Sequence, residues 1–555
     1  MTHDLILGVE NLHIATTRHA ARSLVDGTSF SVSAGETLCI VGESGSGKSL
    51  TALAIMGLLP RGALEVTGGE IRVVGESVIK APAPTLRKMR STVMSMIFQE
   101  PMTALNPVQR IGSQVEEVLA RNTGLDRRQR RAQVLAMLES VHLPDPVLIF
   151  NSYPHQLSGG QRQRVMIAMA LILKPKLLIA DEPTTALDVT TQKQILSLIK
   201  ELQHDQGTCV LFITHDFGVV SDVADNILVM CKGRQVEMGS RLSILSSPTD
   251  GYTKMLLESV PGLVAKGRTI TSESVRLRVS ELSKTYRSVS LFGAGRSVRA
   301  VSEVSLTLHS NEIMGIVGES GSGKSTVARC LVRLLDPSKG DIFVKSTNIA
   351  RLPKSRLRAI RPDIQIVFQD PYRSLNPRQR IGKSLIEGLL NYGVSRQDAL
   401  SKISDVLKLV GLDDSILNRF PHEFSGGQRQ RLCLARAVVM EPSILIADEA
   451  VSALDVSVQA QVLQLLKQVR ERTGIAILFI THDLRVAAEI CDSIIVMQNG
   501  RIVEAGKSDA VLSVPRHEYT KNLLSSVPGR DWDFQNFRPF GEKRAAHSAL
   551  GDLRA

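Results

Sequence analysis

Three kinds of hydrophobic pattern follow one another along this chain, and they return in the same order in its second half. Some short runs are apolar at nearly every position: Thr37-Leu38-Cys39-Ile40-Val41, Lys176-Leu177-Leu178-Ile179-Ala180 and Cys209-Val210-Leu211-Phe212-Ile213-Thr214. Such runs predict strands buried on both faces, as in a mostly parallel sheet. Val9-Glu10-Asn11-Leu12-His13-Ile14 alternates instead and predicts an edge strand, with Phe30-Ser31-Val32 and Gly69-Glu70-Ile71-Arg72-Val73 as further strands. From about Ile111 to Leu143 the apolar residues fall at helical spacing (Val115, Val118, Leu119, then Val134, Met137, Leu138), which predicts a helical insertion. In the second half Glu312-Ile313-Met314-Gly315-Ile316-Val317, Ile366-Val367-Phe368, Ile444-Leu445-Ile446-Ala447 and Phe479-Ile480-Thr481 repeat the buried runs. The spacing of about 270 residues is far too long for a solenoid and reads as a duplicated domain of α/β class.

Between the first buried strand and the helix after it, each half carries the same eight residues. They are Gly42-Glu43-Ser44-Gly45-Ser46-Gly47-Lys48-Ser49 and Gly318-Glu319-Ser320-Gly321-Ser322-Gly323-Lys324-Ser325. Both fit G-x-x-x-x-G-K-[ST] in its proper context of strand, loop and helix. Glycines let successive N–H groups turn inward as an anion nest, and the helix that follows adds its positive end. Lys48 and Lys324 can reach the β/γ-phosphates of a nucleotide, and the Ser49 and Ser325 hydroxyls can ligate Mg²⁺.

The other buried runs also end in chemistry. Met96-Ile97-Phe98 delivers Gln99, and Ile366-Val367-Phe368 delivers Gln369; each can be a metal or water contact or simply a turn residue. Asp181-Glu182 and Asp448-Glu449 close two apolar strands, and such a pair can divide labour, the aspartate holding a metal and the glutamate polarising water. His215 and His482 end the next strands; a lone histidine is often structural, but these stand where α/β folds build their sites. Leu157-Ser158-Gly159-Gly160-Gln161 and Phe424-Ser425-Gly426-Gly427-Gln428 each precede a long helix and can form a second phosphate cradle by the same dipole argument.

Bulk properties narrow the setting. The 555 residues exceed what one core accommodates. The net charge of +12, from 67 basic and 55 acidic residues, fits a mildly basic protein or one beside an anionic membrane. A nucleic-acid partner is not expected, because aromatics make up 4% and no dense basic run is interleaved with them. Six dispersed cysteines without a C-x-x-C pair point to reduced, buried thiols rather than zinc or disulfides. The run Val165 to Leu173 is too short to span a bilayer, so any membrane role must come from partner chains.

Glycine loop, glutamine, Ser-Gly-Gly-Gln, Asp-Glu, Ala-Leu-Asp (Ala186-Leu187-Asp188 and Ala453-Leu454-Asp455) and histidine occur twice in one order. This set resembles the ATP-binding cassette (ABC) ATPases over nearly the whole chain. The resemblance implies two tandem P-loop NTPase domains, each with a mostly parallel core sheet, an antiparallel β subdomain and an inserted α-helical subdomain. The domains expected are 5–262 and 275–529, with a linker at 263–274 and a loosely packed tail at 530–555. It further implies two MgATP, each shared between the cassettes. One would be held by Gly42 to Ser49, Gln99, Asp181, Glu182 and His215 with Ser425, Gly426, Gly427 and Gln428. The other would use Gly318 to Ser325, Gln369, Asp448, Glu449 and His482 with Ser158, Gly159, Gly160 and Gln161. Ser49, Gln99 and Asp181, and Ser325, Gln369 and Asp448, are the metal ligands so implied; Glu182 and Glu449 are the catalytic bases.

Phe98-Gln99-Glu100-Pro101-Met102-Thr103-Ala104-Leu105-Asn106-Pro107 and Phe368-Gln369-Asp370-Pro371-Tyr372-Arg373-Ser374-Leu375-Asn376-Pro377 are similar to the Gln-loop extension of the oligopeptide/dipeptide/nickel importer branch. So are the cassette ends, Gly251-Tyr252-Thr253-Lys254 to Val260-Pro261 and Glu518-Tyr519-Thr520-Lys521 to Val527-Pro528. The branch implies two integral-membrane permeases, an extracytoplasmic binding protein and a peripheral position on the cytoplasmic face of the inner membrane. The rival reading is a soluble two-cassette ATPase working on ribosomes or nucleic acid. Three departures from the family pattern stand out: the adenine-stacking aromatic that the resemblance implies is matched by Tyr286 in the second half but falls near Thr16 in the first, Ala450 replaces the usual proline kept at Pro183, and Phe424 replaces the usual leucine.

Overall fold

The structure, a computed structural model, describes residues 4–17, 22–99, 104–184, 187–265, 274–287, 297–452 and 454–540. Most of the 263–274 linker, Glu100 to Thr103, Ala186, Ala453 and the tail beyond 540 lie outside them. The chain divides into two compact units, Met1–Val260 with Pro528–Ala555, and Pro261–Val527.

In the first unit ten strands form two sheets: β1 (Leu5–Thr16), β2 (Ser23–Ser33), β3 (Thr37–Val41), β4 (Leu64–Val73), β5 (Glu76–Ser77), β6 (Met94–Ile97), β7 (Leu177–Asp181), β8 (Cys209–Ile213), β9 (Asn226–Cys231) and β10 (Arg234–Ser240). The core sheet runs β10-β9-β3-β8-β7-β6 and is parallel except for β10. Strands β3, β7 and β8 are buried at every residue, which is why they read as unbroken apolar runs. The second sheet, β2-β1-β4-β5, is antiparallel. Here the expected edge position of Val9 to Ile14 is corrected: β1 is paired on both sides, by β2 and β4. Alternation reports which face of a strand is dry, and carries no information about whether its edges are paired.

Between β6 and β7 the predicted insertion appears as helices Ile111–Asn122, Arg127–Ser140 and Pro146–Asn151. Helix Gly159–Leu171 then returns the chain to β7, with Val165, Ile167 and Ala168 fully buried. One continuous core joins the two sheets through the helix Lys48–Ile55, around Leu12, Ile14, Leu38, Ile40, Ile55 and Ile71.

The second unit repeats the plan. Its strands are β11 (Val275–Arg287), β12 (Ser297–His309), β13 (Ile313–Val317), β14 (Lys339–Val344), β15 (Thr347–Asn348), β16 (Ile364–Val367), β17 (Ile444–Asp448), β18 (Ala476–Ile480), β19 (Ser493–Gln498) and β20 (Arg501–Lys507). They give a core sheet β16-β17-β18-β13-β19-β20 and an antiparallel sheet β12-β11-β14-β15. The insertion is carried by helices Ile381–Asn391 and Arg396–Leu409.

The tail was expected to pack loosely after Arg530, and up to Phe540 it does not. Strands β21 (Trp532–Asp533) and β22 (Arg538–Pro539) form a small hairpin in the first unit, and Phe534 is 3% exposed. The Asp222 carboxylate accepts from the Gly529 N–H at 3.2 Å, and Gln535 donates to the Val260 carbonyl at 3.4 Å. Gly218 and Gly529 touch backbone to backbone: a Cβ on Gly529 would lie 2.6 Å from the Gly218 Cα. Aromatic Trp532 and Phe534, stacked at 6.5 Å, supply the apolar surface that a charged tail would lack. In the second unit Pro261 plays the matching part, its carbonyl accepting from Arg485 at 3.2 Å.

A chain ended after Val527 is therefore expected to lower the melting temperature of the first unit by several degrees, about 2–4 °C for each kcal/mol of packing lost. Differential scanning calorimetry checks this; an unchanged profile would show the hairpin to be ornamental.

Candidate nucleotide site

Each site is assembled at the C-terminal ends of parallel strands, where open α/β sheets bind ligands. The glycine loop leaves β3 and enters the helix Lys48–Ile55. Gly42 sits at φ 148°, and a Cβ there would lie 2.1 Å from the Met230 carbonyl oxygen, so no other residue fits. Gly318 repeats this against Met497 at 2.3 Å. Lys48 folds over its own loop: Nζ donates to the carbonyls of Gly42 at 2.7 Å and Glu43 at 2.9 Å, and lies 3.5 Å from Ser46 Oγ. Lys324 does the same with Gly318 at 2.7 Å and Glu319 at 2.8 Å. The ammonium thus lies within the curl of the loop, where phosphate oxygens would meet it.

The carboxylate pair stands beside the loop. Ser49 Oγ donates to Asp181 Oδ1 at 3.0 Å, and Ser325 Oγ to Asp448 Oδ1 at 3.0 Å. Glu182 is gripped from two sides: Gln99 Nε2 donates to Oε2 at 2.9 Å, and His215 Nδ1 lies 3.1 Å from Oε1. In the second unit Gln369 Nε2 donates to Glu449 Oε2 at 2.7 Å, with His482 Nδ1 3.7 Å from Oε1. Loop glycine, serine, aspartate, glutamate, glutamine and histidine named from sequence are thus brought together within each unit. Both glutamates hold left-handed backbone, φ 47° and 50°. A non-glycine residue there carries strain of roughly 1–3 kcal/mol, of the kind kept where geometry is used.

Burial pushes the Asp181 carboxyl up to about 6, against the hydrogen bond from Ser49 and with the charge of Glu182 adding to it. Asp448 is raised for the same first reason. Glu449 moves the other way: burial raises it, but the His482 ring and the Lys324 charge outweigh burial and leave it below the ordinary range. His482 is raised in turn, its burial outweighed by Glu449 and Asp483. The pair therefore favours a charged glutamate beside a protonated imidazole.

Ser158 and Ser425 cap the helices Gly159–Leu171 and Gly426–Val438 with reciprocal capping boxes to Gln161 and Gln428. Within the units a Cβ at Gly159 or Gly426 would meet nothing within 4 Å, so both helix starts have room in front of them. Tyr286 is 42% exposed with the Lys284 ammonium 5.5 Å from its ring centre, whereas Thr16 offers only a hydroxyl that accepts from the Arg22 N–H at 3.2 Å. Phe424 is buried under the Arg419 guanidinium at 4.6 Å.

Two features were missed in the sequence. Gln163 Nε2 donates to the Pro183 carbonyl at 2.6 Å, tying the Ser-Gly-Gly helix to the carboxylate loop. In the second unit, where Ala450 stands in place of that proline, Gln430 Nε2 is buried and lacks a partner among the described residues. The other is the pair Tyr252 and Tyr519, whose hydroxyls accept from the loop N–H groups of Glu43 at 3.1 Å and Glu319 at 3.0 Å. Their place in the repeated Tyr-Thr-Lys sequence was the signal available.

A divalent metal is compatible with these donors. Serine hydroxyl, aspartate and glutamine are hard oxygen ligands, and too few for a cage built by protein alone, as befits Mg²⁺ shared with substrate phosphates. Among the described residues no cluster of three or more His, Cys, Asp or Glu forms a metal-binding group.

The family model described as "ABC transporter" matches residues 25–185 and again 301–452. The model "Oligopeptide/dipeptide transporter, C-terminal region" matches 236–287 and 503–547. The "Glutathione import ATP-binding protein GsiA" of Shigella dysenteriae is 46% identical over 557 residues, covering 94% of this chain and 89% of that protein. The protein of the same name from Escherichia coli (strain K12) is 45% identical with the same coverage, and that of Pectobacterium atrosepticum is 45% identical over 560 residues, 95% of this chain and 90% of its own. A solved structure titled "Dimeric Structure of MJ0796, a Bacterial ABC Transporter Cassette" is 30% identical over 42% of this chain and 99% of its own, at TM-score 0.39. With both cassettes matched, and nearly the full length aligned to an import ATPase, the chain belongs to the ABC transporter family, among its ATP-hydrolysing, energy-coupling subunits.

Proposed function

We propose that this chain powers uptake of a peptide-class solute, a short peptide or glutathione, through two integral-membrane permeases served by an extracytoplasmic binding protein. The observation that carries this reading is the oligopeptide/dipeptide-type region following each cassette, in a chain similar over 94% of its length to glutathione import ATP-binding proteins. Among the described residues no helix is long and apolar enough to cross a membrane, so the solute's path must be supplied by partners. We place the chain on the cytoplasmic membrane face. Each insertion borders a groove suited to a permease segment: about 690 Å³ lined by Arg90, Asn106, Gln114 and Arg121, and about 920 Å³ lined by Phe368, Tyr372, Gln379 and Arg436.

In the working cycle each ATP engages the glycine loop, carboxylate pair, glutamine and histidine of a cassette, and the family resemblance implies that the Ser-Gly-Gly-Gln sequences serve ATP as well. Glu182 and Glu449 take the proton of the attacking water. Gln99 and His215, or Gln369 and His482, hold that carboxylate in place. Ser49, Asp181 and Gln99, and Ser325, Asp448 and Gln369, would hold Mg²⁺, which when bound neutralises developing phosphate charge. Tyr286 stacks on one adenine; the other site lacks a ring at Thr16 and binds ATP more weakly.

Three outcomes are expected. The chain co-purifies with two integral-membrane proteins and, reconstituted with them and the binding protein, drives ATP-dependent uptake of a labelled tripeptide; recovery on ribosomes or nucleic acid instead, with no uptake, would overturn the proposal. Chelation of divalent metal abolishes hydrolysis and added Mg²⁺ restores it, as a phosphate-release assay would show. Tyr286→Ala weakens ATP at one of the two sites by about five- to a hundredfold, the worth of one stacked base, read from a two-site binding isotherm.

A further inference from the structure

The repeated Tyr-Thr-Lys sequence near each cassette's end is not accounted for by the chemistry above. Tyr252 opens the helix Gly251–Glu258, and Tyr519 occupies the same place in Glu518–Ser525. Each helix start is pinned to its core sheet by one carboxylate. Glu237 on β10 accepts from the Thr249 N–H at 2.7 Å, the Thr249 hydroxyl at 2.8 Å and the Asp250 N–H at 3.2 Å. Glu504 on β20 accepts from the N–H groups of Arg516 at 2.8 Å and His517 at 3.1 Å. Asp250 Oδ1 then accepts from the Tyr252 N–H at 2.7 Å, and His517 Nδ1 from the Tyr519 N–H at 3.1 Å. The carboxylate anchor is the same in both units and the cap residue differs, Asp250 against His517, yet the tyrosine ends on the same loop atom in both.

That atom belongs to a particular peptide. The N–H of Glu43 and the C=O of Gly42 are one amide plane, and in a trans peptide they point in opposite directions. Tyr252 Oη takes the N–H at 3.1 Å, and Lys48 Nζ takes the C=O at 2.7 Å. In the second unit Tyr519 Oη and Lys324 Nζ clamp the Gly318–Glu319 plane at 3.0 and 2.7 Å. Each plane follows a glycine at φ 148° or 151°, where the backbone has the least resistance to turning. The phenol shares the hold on this plane with the lysine, and the lysine is the group that must serve phosphate.

We infer that Tyr252 and Tyr519 are positioning residues for ATP: each fixes the first peptide of its phosphate loop and, through that peptide, the seat of Lys48 or Lys324. The phenol acts as a neutral acceptor. Burial raises Tyr252 well above the ordinary tyrosine range, so it keeps its proton across the working pH. Tyr519 is 8% exposed.

This inference rests on the loops being ATP sites, and the test separates the two. In the full chain, Tyr252→Phe, Tyr519→Phe and the double substitution keep the ring and remove only the acceptor oxygen. Binding of a non-hydrolysable ATP analogue is measured by calorimetry, and kcat and KM for ATP by phosphate release. The expected result is a loss of analogue affinity of about three- to tenfold, matched by a rise in KM, with kcat close to the parent's. Each single variant affects one class of site. Affinity and KM equal to the parent's overturn the inference, whatever the melting temperature does, because a phenol that only braces the helix would change stability alone. A fall in kcat at unchanged affinity overturns it as well. A parent chain that fails to bind the analogue at all defeats the ATP-site reading instead.

Discussion

A charged carboxylate held at the rim of a dry parallel sheet is the constraint on which this structure turns. β7 and β17 are buried at every residue up to Asp181 and Asp448, and the very next residue is the glutamate we propose as the acceptor of a proton from water. Burial opposes charge there, which is why Asp181 and Asp448 are raised. The fold answers by bringing opposite charge and donors from neighbouring strands: lysine from the loop after β3 or β13, histidine after β8 or β18, and glutamine after β6 or β16. Only parallel order places all those strand ends on one side. The left-handed backbone at Glu182 and Glu449 is the local cost of turning the side chain toward that side.

Duplication lets the two halves be compared residue by residue. What both keep is the bonding around the loop lysine, Ser–Asp and Gln–Glu. What differs lies in the groups around that core. Pro183 takes a hydrogen bond from the Ser-Gly-Gly helix where Ala450 leaves Gln430 without one, His215 sits closer to its glutamate than His482, and Tyr286 has no aromatic counterpart at Thr16. The halves are thus alike in chemistry and unequal in support.

Much of this was legible in the sequence, for physical reasons that also mark the limits. Buried parallel strands write themselves as apolar runs, and a curled glycine loop before a helix needs glycines and one lysine at fixed spacing, so the core sheet and the residues gathered at its strand ends could be named from sequence. The edge assignment of Val9 to Ile14 failed because pairing in a sheet is made by backbone, which has no letters. The hairpin after Arg530 was missed because scattered aromatic residues in a polar segment carry no periodicity, and Gly218 and Asp222, which hold the adjoining Gly529, lie far away in sequence. The tyrosine contacts went unseen likewise: 209 residues separate Tyr252 from the amide it caps.

The central claim is that Glu182 and Glu449 act as bases while the loops and lysines do the holding. Replacing both by glutamine keeps size and hydrogen bonding and removes only the charge. The direct measurement is ATP binding and phosphate release on that double variant. The account predicts near-parental nucleotide affinity with hydrolysis lost by a factor of at least about a hundred, the scale of a positioned general base. Hydrolysis undiminished in the double variant would contradict it.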